Sequence, residues 1–188
     1  MKKQYGFFID ADRCIGCFTC AMACKNQNRL EPGIKWREVH PLDEAIYPHR
    51  DRAFYSLACN HCERPCCIEA CPVSAYSKRE KDGVVVHDQQ KCIGCKNCVR
   101  SCPFGAPEYN PELNKAEKCS LCYQRLDAGL TPACAQGCPT RALQVVELSA
   151  LDDADLLHYP PGFPAAKKLN PSVRFRSPRQ PRIIRRKA

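Results

Sequence analysis

Apolar and aromatic residues along this chain come in short bursts rather than long periodic runs. Phe7–Asp10, Phe54–Leu57, Val84–His87 and Ala142–Leu148 gather β-branched or aromatic residues and predict short strands. Short helices are expected after Cys17, Cys67 and Cys95, and around Tyr123–Asp127 ahead of Cys134. No run of 18 apolar residues occurs, so no membrane-spanning helix is expected. The burst Gly6-Phe7-Phe8-Ile9 is too short for the apolar region of a secretory signal, and no twin-arginine pair precedes it. With 16 Pro, 7 Phe, 7 Tyr and 1 Trp in 188 residues, a large conventional core is not expected; the length supports one or two small lobes.

Composition changes this picture at one residue type. Seventeen cysteines, about 9% of the chain, suggest a fold held by cross-links or metal. Disulfides would need an oxidising compartment, and an odd count leaves one thiol over. Metal is the better reading. The cysteines form four groups: Cys14, Cys17, Cys20 and Cys24; Cys59, Cys62, Cys66, Cys67 and Cys71; Cys92, Cys95, Cys98 and Cys102; and Cys119, Cys122, Cys134 and Cys138. The first and third have the spacing C-x2-C-x2-C-x3-C. That spacing lets a loop wrap a cuboidal iron–sulfur cluster with three thiolates, while the fourth ligates a neighbouring cluster. Zinc sites commonly use two separated C-x2-C pairs around one tetrahedral ion, which these triplets suit poorly.

The second group offers five thiols for four places. Taking Cys59, Cys62, Cys67 and Cys71 reproduces the final x3 spacing of the other groups, which leaves Cys66 as a free thiol or an alternative ligand. Sixteen ligands then remain, enough for four 4Fe–4S clusters. A repeat at an offset of 78 aligns Phe7–Asp10 and Arg13–Cys17 with Val85–Asp88 and Lys91–Cys95. Three groups end alike, as CPVSA, CPFGA and CPTRA, whereas Cys24 is followed by Lys25. Proline after the last cysteine stops the helix and reverses the chain's course. Each unit thus reads strand, cluster loop, short helix, strand, and two duplicated units make an α+β protein of two ferredoxin-like modules.

Through QYGFFID, DRCIGCFTC, CNHCERPCCIEACP, DGVVV, CIGCKNC, CPFGAPEYN, KCSLCYQRLDAG and CPTRAL, from Gln4 to about Leu148, the chain resembles the four-cluster iron–sulfur subunit of the dimethyl sulfoxide reductase family of molybdenum oxidoreductases. The resemblance implies a ligand pairing. Cys14, Cys17 and Cys20 would hold one cluster with Cys138, and Cys119, Cys122 and Cys134 its neighbour with Cys24. Cys59, Cys62 and Cys67 would hold a third with Cys102, and Cys92, Cys95 and Cys98 the fourth with Cys71. The two modules are then interleaved: residues 1–52 plus 110–158 around an inserted 53–109, followed by an extended basic tail, 159–188. In some nitrate reductase relatives a Trp in the third group gives a three-iron cluster; here that position is Cys95. The first module would face a molybdopterin catalytic subunit and the second a membrane quinone-reactive anchor subunit. The implied function is a non-catalytic electron relay of anaerobic respiration, peripheral to the cytoplasmic membrane, on a side the sequence leaves open.

No Ser-His-Asp arrangement, phosphate-binding glycine loop or metalloprotease helix is visible. Two other functions fit the composition: a soluble polyferredoxin serving several enzymes, and a nucleic-acid-binding iron–sulfur protein suggested by the net charge of +9. Nine basic residues and no Asp or Glu lie between Tyr159 and Ala188; without them 20 Lys and Arg face 20 Asp and Glu. The excess therefore sits in a proline-broken tail, and no nucleic acid partner is expected. Phe163, Leu169, Val173, Phe175, Ile183 and Ile184 are spaced as anchors along a partner subunit; a disordered solubilising tail or anionic-lipid attachment are the alternatives. His61 reads as a solvated loop residue or as a donor to a cluster. Trp36 reads as a partner anchor or as local packing in Ile34–His40. Lys78–Lys81 reads as a solvated hairpin turn, and Pro41–Arg52 as a loop insertion.

Overall fold

A computed structural model describes residues 3–41, 53–152, 154–160 and 162–178. Strand β1, Tyr5–Asp10, forms where the first aromatic burst lies, and Phe7, Phe8, Ile9 and Asp10 are all buried. It is the centre of a three-stranded sheet. On one side β8, Leu143–Glu147, pairs antiparallel with Tyr5 opposite Glu147 and Ile9 opposite Leu143. On the other, β9, Val173–Arg176, runs parallel, with Phe7 opposite Val173 and Asp10 opposite Arg176. A Cβ on Gly6 would overlap the Ser172 carbonyl, so glycine is what lets the incoming segment approach this closely.

The sequence places the four expected strands and four of the helices within a few residues of where they lie. Helix α1 spans Thr19–Asn28, α2 Cys66–Glu69, α3 Asn97–Ser101, α4 Tyr123–Asp127 and α5 Ala133–Gln136. Three two-stranded sheets complete the fold: β2 Arg37–Pro41 with β3 Phe54–Ala58, β4 Tyr76–Lys78 with β5 Val85–His87, and β6 Glu108–Asn110 with β7 Lys115–Glu117. The architecture is a mixture of α and β with short helices.

Two packed clusters of buried residues organise these elements. The larger joins Phe7, Ile9, Val39, Tyr55, Leu121, Leu143, Val173 and Phe175 with Cys20, Cys24, Cys59, Cys119 and Cys134. The smaller joins Cys67, Tyr76, Val85, Cys98 and Ala116. The expected inserted segment, 53–109, contributes to both clusters. β3 pairs with β2 and its Tyr55 belongs to the larger cluster. The edge at 109/110 falls inside the β6–β7 hairpin, whose Ala116 packs in the smaller cluster.

Part of the expected extended tail packs against the core. Phe163, Val173 and Phe175 do not wait for a partner subunit. Val173 is 1% and Phe175 0% exposed, with Phe175 edge-on to Tyr55 at 4.8 Å and to Phe163 at 5.2 Å. The alternation Val-Arg-Phe-Arg suits a strand with one buried face, so β1 captures it. Ile183 and Ile184, and residues 42–52 of the expected loop insertion, lie outside the described residues.

Candidate metal centre

The C-x-x-C pair that opens each of the four groups shares one backbone device. The residue just before the second cysteine has positive φ in every case: Gly16 at 67°, His61 at 44°, Gly94 at 72° and Leu121 at 52°. A left-handed residue at this point bends the loop so that successive N–H groups face inward, a concavity suited to anionic sulfur. A second device follows the last cysteine. In Cys71-Pro-Val-Ser74, Cys102-Pro-Phe-Gly105 and Cys138-Pro-Thr-Arg141 the fourth residue is again left-handed, at 50°, 60° and 55°. The turn brings the Ala75 N–H to 3.3 Å from the Cys71 Sγ, and the Ala106 N–H toward Cys102. The Cys24 group lacks the proline, and its helix runs on to Asn28, where Arg29 at φ 50° ends it.

No disulfide links any of the seventeen cysteines. Cys14, Cys17, Cys20 and Cys138 line one narrow cavity, together with Ile9, Ile15, Val39 and Ser56. Cys59, Cys62, Cys67 and Cys102 line another, with Cys66, His61 and Lys118 in its wall. Cys24, Cys119, Cys122 and Cys134 come together: Cys134 lies close enough to raise the thiol pKa of the other three, and Cys24, itself pushed up to about 12 chiefly by burial, raises that of Cys119. Cys71 and Cys92 pack on the cluster containing Cys98, while Cys95 is half-buried in the same loop as Cys92. Among the described residues, no three His, Cys, Asp or Glu side chains converge as they would around a single ion. Thiols arranged around a space rather than a point suit a multi-atom cluster better than tetrahedral zinc.

Donors surround these sulfurs. The Leu121 N–H reaches Cys119 Sγ at 3.3 Å and the Ala116 N–H reaches Cys92 Sγ at 3.5 Å. The Thr19 hydroxyl donates to Cys17 at 3.4 Å and, with the Thr19 N–H, lowers that thiol's pKa. Ser56 Oγ lies 3.1 Å from Cys20 Sγ. Most of the other thiols are pushed up by burial: Cys67 to about 12, and Cys62 and Cys119 well above their ordinary value. Iron held by these cysteines would have to displace protons from a desolvated interior.

Burial also settles His61. It is 1% exposed, not solvated: Nδ1 accepts the Val85 N–H at 3.1 Å, which leaves the proton on Nε2. Burial, reinforced by Lys118 and Lys78, holds its pKa well below the usual histidine value, so the ring is neutral. The Lys78–Lys81 stretch does form the β4–β5 turn. It is anchored rather than loose, since Lys78 donates to the Cys62 carbonyl at 2.7 Å and Arg79 pairs with Asp82 at 3.1 Å. Trp36 packs against the larger buried cluster. The sequence motifs assign no role to Arg37, 3% exposed, or to Lys118, also 3% exposed and the first residue of the KCSLC motif, two cations buried among the thiols.

A profile described as a 4Fe-4S dicluster domain matches residues 51–148, and one described as a 4Fe-4S binding domain matches residues 5–26. One polypeptide of the anaerobic dimethyl sulfoxide reductase of Escherichia coli is 44% identical over 151 residues, covering 76% of this protein and 73% of the relative. The thiosulfate reductase electron transfer subunit of Salmonella typhi is 37% identical over 159 residues, covering 83% and 81%. One subunit of the tetrathionate reductase of Salmonella typhimurium is 38% identical over 139 residues, covering 73% and 55%. On these matches the protein belongs to the family of 4Fe–4S iron–sulfur subunits found in dimethyl sulfoxide reductase and related reductases.

Proposed function

We propose that the protein is the electron-transfer subunit of a molybdopterin reductase complex, relaying electrons through four 4Fe–4S clusters between the catalytic subunit and a membrane quinone-reactive subunit in anaerobic respiration. Bound clusters supply one-electron transfer; the chain's own residues hold them, exclude water and set the charge around them. The sixteen cysteines grouped above would be the ligands, with Cys66 left free. The two modules would be residues 3–58 with 118–178, and 59–117 between them.

One observation carries this reading: the four thiol sets form a continuous series. Cys20 of the first set and Cys24 of the second share one buried cluster with Cys119 and with Cys59 of the third, and Cys67 of the third shares the other with Cys98 of the fourth. The inner thiols are buried, while both ends open outward at the two C-I-G-C loops, where Ile15 is 63% and Ile93 60% exposed. A buried middle with two exposed ends is what a relay between two partners requires. No helix among the described residues is long and apolar enough to cross a membrane, which accords with a peripheral subunit held by an anchor.

The test is made in the complex, with Cys92→Ser interrupting the fourth set. Quinol-driven reduction of the terminal acceptor should fall to background, while reduction driven by a small dye acting directly on the catalytic subunit persists. Unchanged quinol-driven turnover would contradict the relay.

A further inference from the structure

Arg37 occupies a position that the ligand motifs do not explain. It lies in β2 on the same face as Val39 and is 3% exposed. Its Nη1 donates to the Ser56 carbonyl at 2.8 Å and to Ser56 Oγ at 3.0 Å, and the guanidinium carbon stands 4.2 Å from the centroid of the Phe7 ring. Among the described residues no Asp or Glu forms an ion pair with it, and Nε and Nη2 are buried without a hydrogen-bond partner. A guanidinium stays charged wherever it is placed, and a buried unpaired charge is not tolerated unless something negative faces it.

The groups placed to become negative are the neighbouring cysteines, as thiolate ligands. Burial works against the charge on Arg37, but Cys134, Cys119, Cys20 and Cys24 together hold it firmly protonated. Those four belong to two different sets: Cys20 lines the first cavity, and Cys24, Cys119 and Cys134 form most of the second set. Ser56 ties the arrangement together, since the hydroxyl that accepts from Arg37 also touches Cys20 Sγ at 3.1 Å.

We infer that Arg37 is a fixed cation between the first two cluster sites that raises the reduction potentials of both. This rests on the relay reading and adds a charge-setting residue to it. Reduction adds one negative charge to a cluster, and a permanent cation in a poorly screened interior favours the more negative state. The unpartnered Nε and Nη2 leave two buried donors free to serve that charge. In the other half a buried phenol, Tyr76, lies beside Cys98 in place of such a cation, its hydroxyl without a hydrogen-bond partner among the described residues.

The experiment uses the full chain produced anaerobically with its partner subunits, comparing Arg37→Gln and Arg37→Lys by iron content and by electron-spin resonance during redox titration. With iron retained, Arg37→Gln should shift the oxidised-to-reduced ratio of the first two clusters at least tenfold toward oxidised at a given potential, about 59 mV for a one-electron couple. The other two clusters should not move, and Arg37→Lys should restore most of the shift. Retained iron with unmoved potentials overturns the inference. If Arg37→Gln loses the first two clusters, Arg37→Lys decides: retention in the lysine variant upholds a charge role, and loss there too shows a role in shape alone and overturns it. A wild-type preparation lacking four clusters would instead contradict the relay reading, so the two failures are distinct.

Discussion

The first and third cysteine groups carry the same motif, C-I-G-C followed by two more cysteines at identical spacing, yet they sit in different surroundings. Their loops are nearly superposable in backbone terms: Gly16 and Gly94 at φ 67° and 72°, Phe18 and Lys96 at 60° and 61°, Ile15 and Ile93 both exposed. Beyond the loop they diverge. The strand ahead of the first group is the centre of a three-stranded sheet, and that ahead of the third lies in a hairpin. Helix α1 has ten residues and α3 five, because Lys25 follows Cys24 where Pro103 follows Cys102. The third cysteine of each motif meets different chemistry: Cys20 has Ser56 and Arg37, and Cys98 has Tyr76. Ligand spacing thus determines what is bound, and the neighbouring strands determine the charge it sits in.

Removing a ligand should have the largest effect and test whether the halves are equivalent in holding iron. Cys20→Ala and Cys98→Ala should each lose one cluster, which metal analysis would read as a fall of about four iron atoms per molecule. Equal iron in either variant and the wild type would break the correspondence. Cys66→Ala should leave the iron count unchanged, since Cys66 donates only to the Ser101 carbonyl at 3.4 Å.

The next effect belongs to one half only. Phe175 is fully buried between Tyr55 and Phe163. Phe175→Ala should cost about 3–5 kcal/mol. Heating the holoprotein should then release iron from the first and second sites before the other two, read from the order in which their spin signals vanish.

A smaller effect separates the two glycines. Both have positive φ, which costs an alanine about 1–2 kcal/mol. At Gly16 the new Cβ would meet the Phe54 ring at 2.8 Å, which can tilt away; at Gly94 it would overlap the Asn114 backbone carbonyl, which cannot. Gly94→Ala should therefore lower the apparent unfolding temperature more than Gly16→Ala. The smallest expected change is Tyr76→Phe, which should lower the potential of the fourth cluster alone, since a hydroxyl donor beside Cys98 is lost.

The cysteine sets and the strands beside them are legible in the sequence because spacing and β-branched bursts are local signals. Strand β9 is not legible. Its parallel partner β1 lies more than 160 residues earlier, and parallel pairing leaves no hairpin turn to announce it. In the sequence, Val173 and Phe175 are therefore apolar anchors without an address. The hairpin formed by β6 and β7 is hidden for another reason: each strand has three residues, too few for alternation to show. The burial of His61 is invisible because its neighbours in sequence are polar, and the Val85 N–H that it accepts comes from 24 residues away. Arg37 does leave a signal. Alternation in Arg37-Glu38-Val39 puts the arginine on the face of Val39, and a charge at an inward position calls for a negative partner.

The central claim is that sixteen named cysteines hold four clusters of one kind. Iron and acid-labile sulfide analysis of the anaerobically purified complex, combined with electron-spin resonance of the dithionite-reduced protein, tests it most directly. About sixteen iron and sixteen sulfide per molecule of this subunit, with only 4Fe–4S signals, is the predicted result. About eight iron, zinc in place of iron, or a stable three-iron signal in the native protein would contradict it.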